Sequence, residues 1–223
     1  MKLRGKILDL GCGILPYYSL YRDHFAQTVA CDYDIRGPID VQLDASNLPF
    51  SNASFDVILM SEVIEHVPNA EKALAEINRV LKPGGLLLIT WPFNYMMHEI
   101  PHDYVRYTEF GMERLLDKTG MRIENLFRRG NAFMTALVLT EFFFSGLFEL
   151  FARILIVGKF FRRLKGLFLS FFFGSLYRFY LMMSWKRAYR SQRLVGEDLK
   201  GTIKHMSLWN LGYCARVRKP GDS

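Results

Sequence analysis

Apolar runs and helical patterns alternate along the first 130 residues. Mostly apolar runs at 6–10, 28–31, 39–43, 55–60 and 86–91 predict strands that are buried on both faces. Apolar residues at helical spacing predict helices that begin near Pro16 and cover 69–81 and 109–118, with the Lys-Pro-Gly-Gly segment at 82–85 ending the second one. This alternation is typical of a doubly wound α/β sheet, which binds ligands beyond the carboxyl ends of its strands. Functional residues are therefore expected at those ends.

Five motifs occur in order along this region. They are Asp9-Leu10-Gly11-Cys12-Gly13, Asp32, the run 44–50, the run 61–67 and the run 79–85. In this order they resemble the class I S-adenosylmethionine-dependent methyltransferases of the type 11-like group, over residues 5 to about 130. The resemblance implies a Rossmann-like, seven-stranded methyltransferase sheet and S-adenosyl-L-methionine as the cofactor.

The resemblance also implies a role for each motif. Amides of the glycine turn would hold the methionyl carboxylate. Asp32 would bind the ribose hydroxyls, Asp44 the adenine amino group, and the backbone of Ala45 the adenine ring. Ser61 and Glu62 would lie beside the methionyl end. The predicted cofactor-binding residues are Asp9, Gly11, Cys12, Gly13, Asp32, Asp44, Ala45, Ser61 and Glu62.

A dinucleotide is the competing ligand for a glycine turn. Its fingerprint requires a third glycine three residues after the second, where this chain has Pro16. Proline also removes a backbone amide from the turn. The sequence therefore favours S-adenosylmethionine over a nicotinamide or flavin cofactor.

A loop rich in ionisable side chains follows the fifth predicted strand. Residues 98–108 include two histidines, two acids, an arginine and two tyrosines, and are similar to a loop of bacterial methyltransferases of sugar pathways. We predict that His102, oriented by Asp103, deprotonates an acceptor hydroxyl while Arg106 holds the acceptor. His66, one turn beyond the fourth strand, is the second candidate base. The structural alternatives are a packing role for His66 and an ion pair between Asp103 and Arg106.

The composition changes after residue 130. The chain has 29 Lys and Arg against 22 Asp and Glu, and residues 131–190 hold nine of the former and two of the latter. The whole net charge of +7 therefore arises in this segment, which also contains 13 of the 19 Phe. A sixth strand is predicted at 120–127 and a seventh at 211–218. We therefore predict a methyltransferase domain formed by 1–130 and 206–218, with a hydrophobic, basic helical insertion at 131–205.

The insertion has three interpretations. Two membrane spans would place the basic loop 159–165 on the far side of the bilayer, against the positive-inside rule. Helices lying on an anionic membrane surface fit the charge better, and a lid or homodimer contact would also bury the apolar faces. The sequence argues against nucleic acid as a partner, because runs such as 142–144, all Phe, cannot stay exposed as stacking platforms.

Cysteine usage and the N-terminus suggest the compartment. Cys12, Cys31 and Cys214 lack CxxC spacing, so buried thiols are expected and no disulfide or metal site is predicted. The first residues run into a strand without a secretory signal pattern. We expect a cytoplasmic protein, peripheral on the inner face of the membrane if the insertion binds lipid.

The predicted function is O-methylation of a hydrophobic, lipid-linked or sugar acceptor. The acceptor class is inferred only from the insertion and the histidine loop. The alternative is a noncatalytic module of the same fold, which binds the cofactor and docks to a membrane or a partner protein.

Overall fold

The structure, a computed structural model, describes residues 5–154 and 211–221. The chain divides into two compact units, one formed by Met1–Arg129 with Leu211–Ser223 and the other by Gly130–Asn210. The first unit contains the α/β sheet and every predicted site residue. Most of the predicted insertion lies outside the described residues.

The first unit contains a seven-stranded mixed sheet with the order β3-β2-β1-β4-β5-β7-β6. Strands β1 to β5 are parallel, and β7 lies antiparallel between β5 and β6. The predicted Rossmann-like methyltransferase sheet is thereby confirmed. The strands are β1 (Lys6–Leu10), β2 (Gln27–Asp32), β3 (Val41–Gln42), β4 (Phe55–Ser61), β5 (Leu81–Pro92), β6 (Arg122–Arg129) and β7 (Gly212–Arg218).

Three helices accompany this sheet: α1 (Tyr18–Tyr21), α2 (Ala70–Val80) and α3 (Glu109–Lys118). Asn69 begins α2 by accepting the amide of Lys72, and Thr108 begins α3 by accepting the amide of Gly111. The apolar face of α2 is buried, as its spacing predicts. Trp91 and Phe55 are among the largest fully buried side chains of the core.

Two predicted boundaries are wrong for local reasons. The strand expected at 39–43 is reduced to two residues, because the Asp40 carboxylate accepts the Ala30 amide where a strand carbonyl would otherwise do so. The segment expected to separate α2 from the fifth strand belongs to β5 as an irregularity, where the pairing shifts from Phe55–Leu81 to Val57–Leu86.

In the second unit the structure describes helix α4 (Ala132–Ile154). Asn131 precedes it and accepts the amide of Met134. Among the residues described here, no helix is long and apolar enough to cross a membrane.

Candidate functional site

The glycine turn follows β1 directly. Gly11 has φ +76° and Gly13 has φ +54°, a region that glycine enters without steric cost. A Cβ on Gly11 would lie 2.2 Å from Cγ2 of Val63, whereas a Cβ on Gly13 would meet no atom within 4 Å. Gly11 therefore allows close packing inside the protein, whereas Gly13 borders open space.

The amides of this turn are partly used within the protein. Gly11 and Cys12 donate to the Cys31 carbonyl at 2.8 and 3.0 Å, and Gly13 donates to Oδ2 of Asp32 at 2.7 Å. These bonds join the ends of β1 and β2. The turn is thus fixed in shape independently of a ligand, and the predicted contact of its amides with a carboxylate stays a prediction.

Three carboxylates lie near the carboxyl ends of β1, β2 and β3. Asp9 is buried, accepts the Tyr21 hydroxyl at 2.6 Å, and has its pKa raised by burial. Asp32 is half-buried, and its second oxygen accepts the Asp34 amide at 3.0 Å. Asp44 is exposed and accepts the amide of Ser46 at 2.7 Å. Ala45 beside it is buried.

The end of β4 is tied to β5 and β6. The Ser61 hydroxyl lies 3.0 Å from the Thr90 hydroxyl, and Thr90 also donates to Oε1 of Glu62 at 2.7 Å. The same oxygen of Glu62 accepts Nη2 of Arg129 at 2.7 Å. Glu62 is therefore half of an ion pair within the protein.

A cluster of three ionisable side chains lies just beyond this strand end. Glu65 and His66 belong to a 3-10 turn over Ile64–His66, and His98 comes from the loop after β5. Nε2 of His66 lies 3.1 Å from Nε2 of His98, and Oε1 of Glu65 lies 3.7 and 3.6 Å from these two atoms. Glu65 is 1% exposed, and burial raises its pKa to about 8. Within the described ranges 5–154 and 211–221, neither of its carboxylate oxygens has a hydrogen-bond partner.

The predicted catalytic residues are arranged differently around this cluster. The Asp103 carboxylate pairs with the guanidinium of Arg106 and accepts the His98 amide at 2.9 Å, so it forms the ion pair that the sequence left open. That guanidinium holds the pKa of Asp103 at about 2. The imidazole of His102 is exposed and its Nδ1 lies 3.0 Å from the Tyr104 hydroxyl. The structure thus places Asp103 on His98 rather than on the imidazole of His102.

The sequence predicts no individual role for Glu65, which is only part of the motif 61–67. His98 is one of three histidines, with His66 and His102, that the sequence places at or after the ends of the fourth and fifth strands as candidate bases. Glu65 can be recognised in the sequence as an acid beside His66. The apolar residues on either side of this pair, Ile64 and Val67, are buried. The distance from Glu65 to His98 depends on the pairing of β4 with β5, which the order of motifs alone does not give.

Known proteins with a methyltransferase domain are similar to this chain in sequence and fold. Residues 8–89 match a family model described as a methyltransferase domain. The α/β unit is a class I S-adenosylmethionine-dependent methyltransferase domain. It is similar to the demethylmenaquinone methyltransferase of Paenarthrobacter aurescens, with 36% identity over 125 residues, which cover 52% of this chain and 48% of that protein.

Two solved structures share the fold of this methyltransferase domain. A putative methyltransferase from Bacillus halodurans superposes with a TM-score of 0.54 at 17% identity, covering 99% of this chain and 94% of that one. Phosphoethanolamine N-methyltransferase 2 of Haemonchus contortus, solved with S-adenosylhomocysteine, superposes with a TM-score of 0.54 at 18% identity, covering 100% of this chain and 50% of that one.

These matches confirm S-adenosyl-L-methionine as the cofactor of the family. The chain spans about half the length of the demethylmenaquinone methyltransferase. The contacts that individual residues make with the cofactor stay predictions. Beside Gly13 no atom would lie within 4 Å of an added Cβ, and the half-buried carboxylate of Asp32 accepts the Gly13 amide there.

Proposed function

We propose that the protein transfers the methyl group of S-adenosylmethionine to an oxygen of a hydrophobic or lipid-linked acceptor. The observation that carries the proposal is the edge formed by the glycine turn and Asp32, with open space beside Gly13. The cofactor supplies a methyl group on a sulfonium, which is its own leaving group. The chain therefore has to bind, orient the acceptor and exclude water, and needs a base only for a poorly acidic hydroxyl.

The cofactor would lie along the carboxyl ends of β1, β2 and β4. Asp32 would accept the ribose hydroxyls while keeping the Gly13 amide, since a carboxylate oxygen accepts more than one hydrogen bond. Asp44 is exposed and would accept the adenine amino group, beside the backbone of Ala45. Ser61 and Glu62 would border the methionyl end.

The apolar character of the acceptor is supported by the rim of this edge. Ile14, Ile35 and Ile100 are 74%, 69% and 72% exposed. Their loops meet, because Arg36 pairs with Glu99 at 2.7 Å and Gly37 lies against the backbone of Ile14. Large exposed apolar side chains around a polar site favour an apolar ligand.

His102 is the proposed base. Its imidazole is exposed, so it is accessible to an acceptor, and the Tyr104 hydroxyl orients its Nδ1. In this role the imidazole would take the proton of the acceptor hydroxyl as the oxygen accepts the methyl group. His66 is less suited, since both of its ring nitrogens already face other groups.

The experiment measures binding and transfer separately. Asp32→Asn keeps an acceptor for the Gly13 amide and removes the charge, so calorimetry should show cofactor affinity at least about tenfold weaker, as expected for losing a charge-assisted hydrogen bond. Asp34→Asn, two residues away in the same loop, should bind like the wild type. His102→Ala should keep cofactor affinity and lose transfer of labelled methyl to a lipid extract by about 100-fold or more.

Each result has a contrary outcome. Equal cofactor affinity in Asp32→Asn and wild type would remove Asp32 from the cofactor site. Cofactor binding by the wild type without transfer to any acceptor would favour the noncatalytic module.

A quinone precursor is a second candidate acceptor, because the relative from Paenarthrobacter aurescens is a demethylmenaquinone methyltransferase. Nuclear magnetic resonance of the labelled product distinguishes an O-methyl from a C-methyl group.

A further inference from the structure

We propose that Glu65, His66 and His98 form a binding site for a divalent metal ion. Their three candidate ligand atoms, Oε1 of Glu65 and Nε2 of each histidine, all lie within 4.8 Å of one another. Two imidazoles and one carboxylate are a ligand set that suits zinc and the neighbouring divalent transition metals.

The distances between the ligand atoms agree with this assignment. Bonds of 2.0–2.2 Å in a tetrahedral zinc site place ligand atoms about 3.3–3.6 Å apart. The three separations are 3.1 Å between the two Nε2 atoms and 3.7 and 3.6 Å from Oε1 of Glu65 to each of them. A small shift of the side chains would bring all three atoms to bonding distance of one ion.

The hydrogen bonds of the two rings direct their lone pairs toward each other. Nδ1 of His66 lies 2.9 Å from the His102 carbonyl oxygen, and Nδ1 of His98 lies 3.3 Å from the Met96 carbonyl oxygen. Carbonyl oxygens only accept, so the network assigns the ring proton to Nδ1 in both histidines. In the neutral rings, both Nε2 atoms then present lone pairs 3.1 Å apart, an arrangement that a cation between them stabilises.

Glu65 provides an independent observation. Its carboxylate is 1% exposed and accepts no hydrogen bond among the described residues. The neighbouring carboxylates have their own cations, Glu62 with Arg129 and Asp103 with Arg106. A buried carboxylate without a partner is unfavourable, and a bound metal ion removes that cost.

The surroundings also match those of metal sites. Histidine ligands commonly donate their second ring nitrogen to a carbonyl or carboxylate, which fixes the ring and its tautomer. His66 donates to the His102 carbonyl, and Nδ1 of His98 has the Asp103 carboxylate at 3.5 Å beside the Met96 carbonyl. The Tyr104 amide donates to the Glu65 carbonyl at 2.9 Å, which ties the 3-10 turn to the loop that carries His98.

Direct metal binding tests the site without reference to methyl transfer. Untagged full-length protein, freed of metal with a chelator, is titrated with Zn²⁺, Mn²⁺ and Mg²⁺ by calorimetry and with Co²⁺ by visible spectroscopy. We expect one equivalent of Zn²⁺ or Co²⁺ and a metal-dependent rise of the melting temperature, because an ion that binds only the folded state stabilises it.

Two variants remove ligands and two serve as controls. Glu65→Gln and His98→Ala should weaken metal affinity by more than about 100-fold, beyond the usual effect of a residue that only supports a ligand. Glu99→Gln removes the same charge one residue from His98, and His102→Ala removes an imidazole from the same loop. Both controls should bind metal like the wild type.

Absence of stoichiometric binding by the wild type would overturn the proposal, and so would equal affinity in His98→Ala and the wild type. Near-ultraviolet circular dichroism checks that each variant is folded. His98 is half-buried, so His98→Ala keeps the test valid if Glu65→Gln does not fold.

Discussion

Gly11 and Gly13 have positive φ angles but different surroundings, so the same substitution is expected to act differently on each. A Cβ at Gly11 would overlap the Val63 side chain at 2.2 Å, and one at Gly13 would enter open space. The first glycine therefore serves packing between the turn and the end of β4. The second preserves the volume that the proposed cofactor occupies.

Substitution by alanine separates these roles. Gly11→Ala should lower the free energy of unfolding by about 2–4 kcal/mol, from left-handed strain and overpacking. Gly13→Ala should lower it by only about 1–2 kcal/mol, from strain alone, and should weaken S-adenosylmethionine binding at least about tenfold. Urea unfolding and calorimetry measure the two effects.

A double variant provides the control for Gly11. Val63→Ala in the Gly11→Ala background removes the close contact but leaves the strained φ, so it should recover part of the lost stability. Equal loss of stability in the two single variants would contradict the packing role of Gly11. Unchanged cofactor affinity in folded Gly13→Ala would place the cofactor elsewhere.

At the residue scale, the sequence predicts which kinds of side chain form the site better than it predicts which side chains contact each other. The type and order of the acids after the strands indicate a cofactor edge, and Asp32 does join the glycine turn. The partner of Asp103 is harder to predict. Arg106 lies three residues away and forms two hydrogen bonds with it, so this ion pair forms in place of an interaction with the imidazole of His102.

Helix α2 fixes the loop that contains the predicted adenine-binding residues. Arg79 donates to Glu76 and to the carbonyls of Leu48 and Phe50, and Glu76 accepts the Leu48 amide at 2.9 Å. These bonds connect the last turns of α2 to the segment that follows Asp44. The loop is therefore held in shape by an ion pair on the neighbouring helix.

This ion pair predicts a pH dependence of stability. Hydrogen bonds from Arg79 hold the pKa of Glu76 below its ordinary value. A lowered pKa in the folded state means that the stabilisation is complete above the unfolded value of about 4.3 and is lost as the pH falls through the folded value. Glu76→Gln should therefore be about 1 kcal/mol less stable than wild type at pH 7, and the difference should shrink toward pH 3.

Urea unfolding of both proteins across this pH range measures the effect. Glu71→Gln is the matched control, because Glu71 lies on the same helix in an exposed ion pair with Lys118, and such pairs contribute little. A difference between Glu76→Gln and wild type that stays constant down to pH 3 would contradict this role of the ionised Glu76.

At the element scale, a long periodic pattern or a continuous apolar run predicts the bounds of an element better than a short interrupted run does. Helix α3 and strand β1 have the predicted bounds, since a capping threonine starts the helix and a continuous apolar run defines the strand. Strand β3 is shorter than predicted because Asp40 uses its side chain in place of the backbone. Such a replacement depends on the neighbouring strand, which local sequence does not describe.

For the whole molecule, the localised charge and the junction of the two units are the informative features. The net charge of +7 arises within 131–190, while the remainder balances at 20 basic and 20 acidic residues. On α4, Leu139, Phe143 and Leu150 are 53%, 67% and 52% exposed, and their spacing places them on one face of the helix. This exposed apolar face, together with the excess of Lys and Arg over Asp and Glu at 155–190, leads us to propose that the second unit binds an anionic membrane surface.

The junction allows the second unit to be removed cleanly. The Leu211 amide donates to the Arg129 carbonyl at 2.9 Å, beside the first pair of the antiparallel β6–β7 ladder. The last pair of this ladder is Arg129–Gly212, so replacing Gly130–Asn210 by Asn-Gly leaves three residues between the paired positions, a common length for a hairpin loop, and should join β6 to β7 as a hairpin. We expect this variant to unfold cooperatively in urea and to bind S-adenosylmethionine.

Flotation with vesicles then tests the membrane proposal. Full-length protein should float with vesicles containing phosphatidylglycerol and less with neutral ones, because Lys and Arg near an anionic surface contribute about 1 kcal/mol each. The hairpin variant, which lacks the basic segment, should stay in the soluble fraction with both. High salt should weaken flotation of the full-length protein by screening. Equal flotation of the two proteins would assign vesicle binding to the α/β unit, and absence of flotation by both would favour the lid or homodimer interpretation.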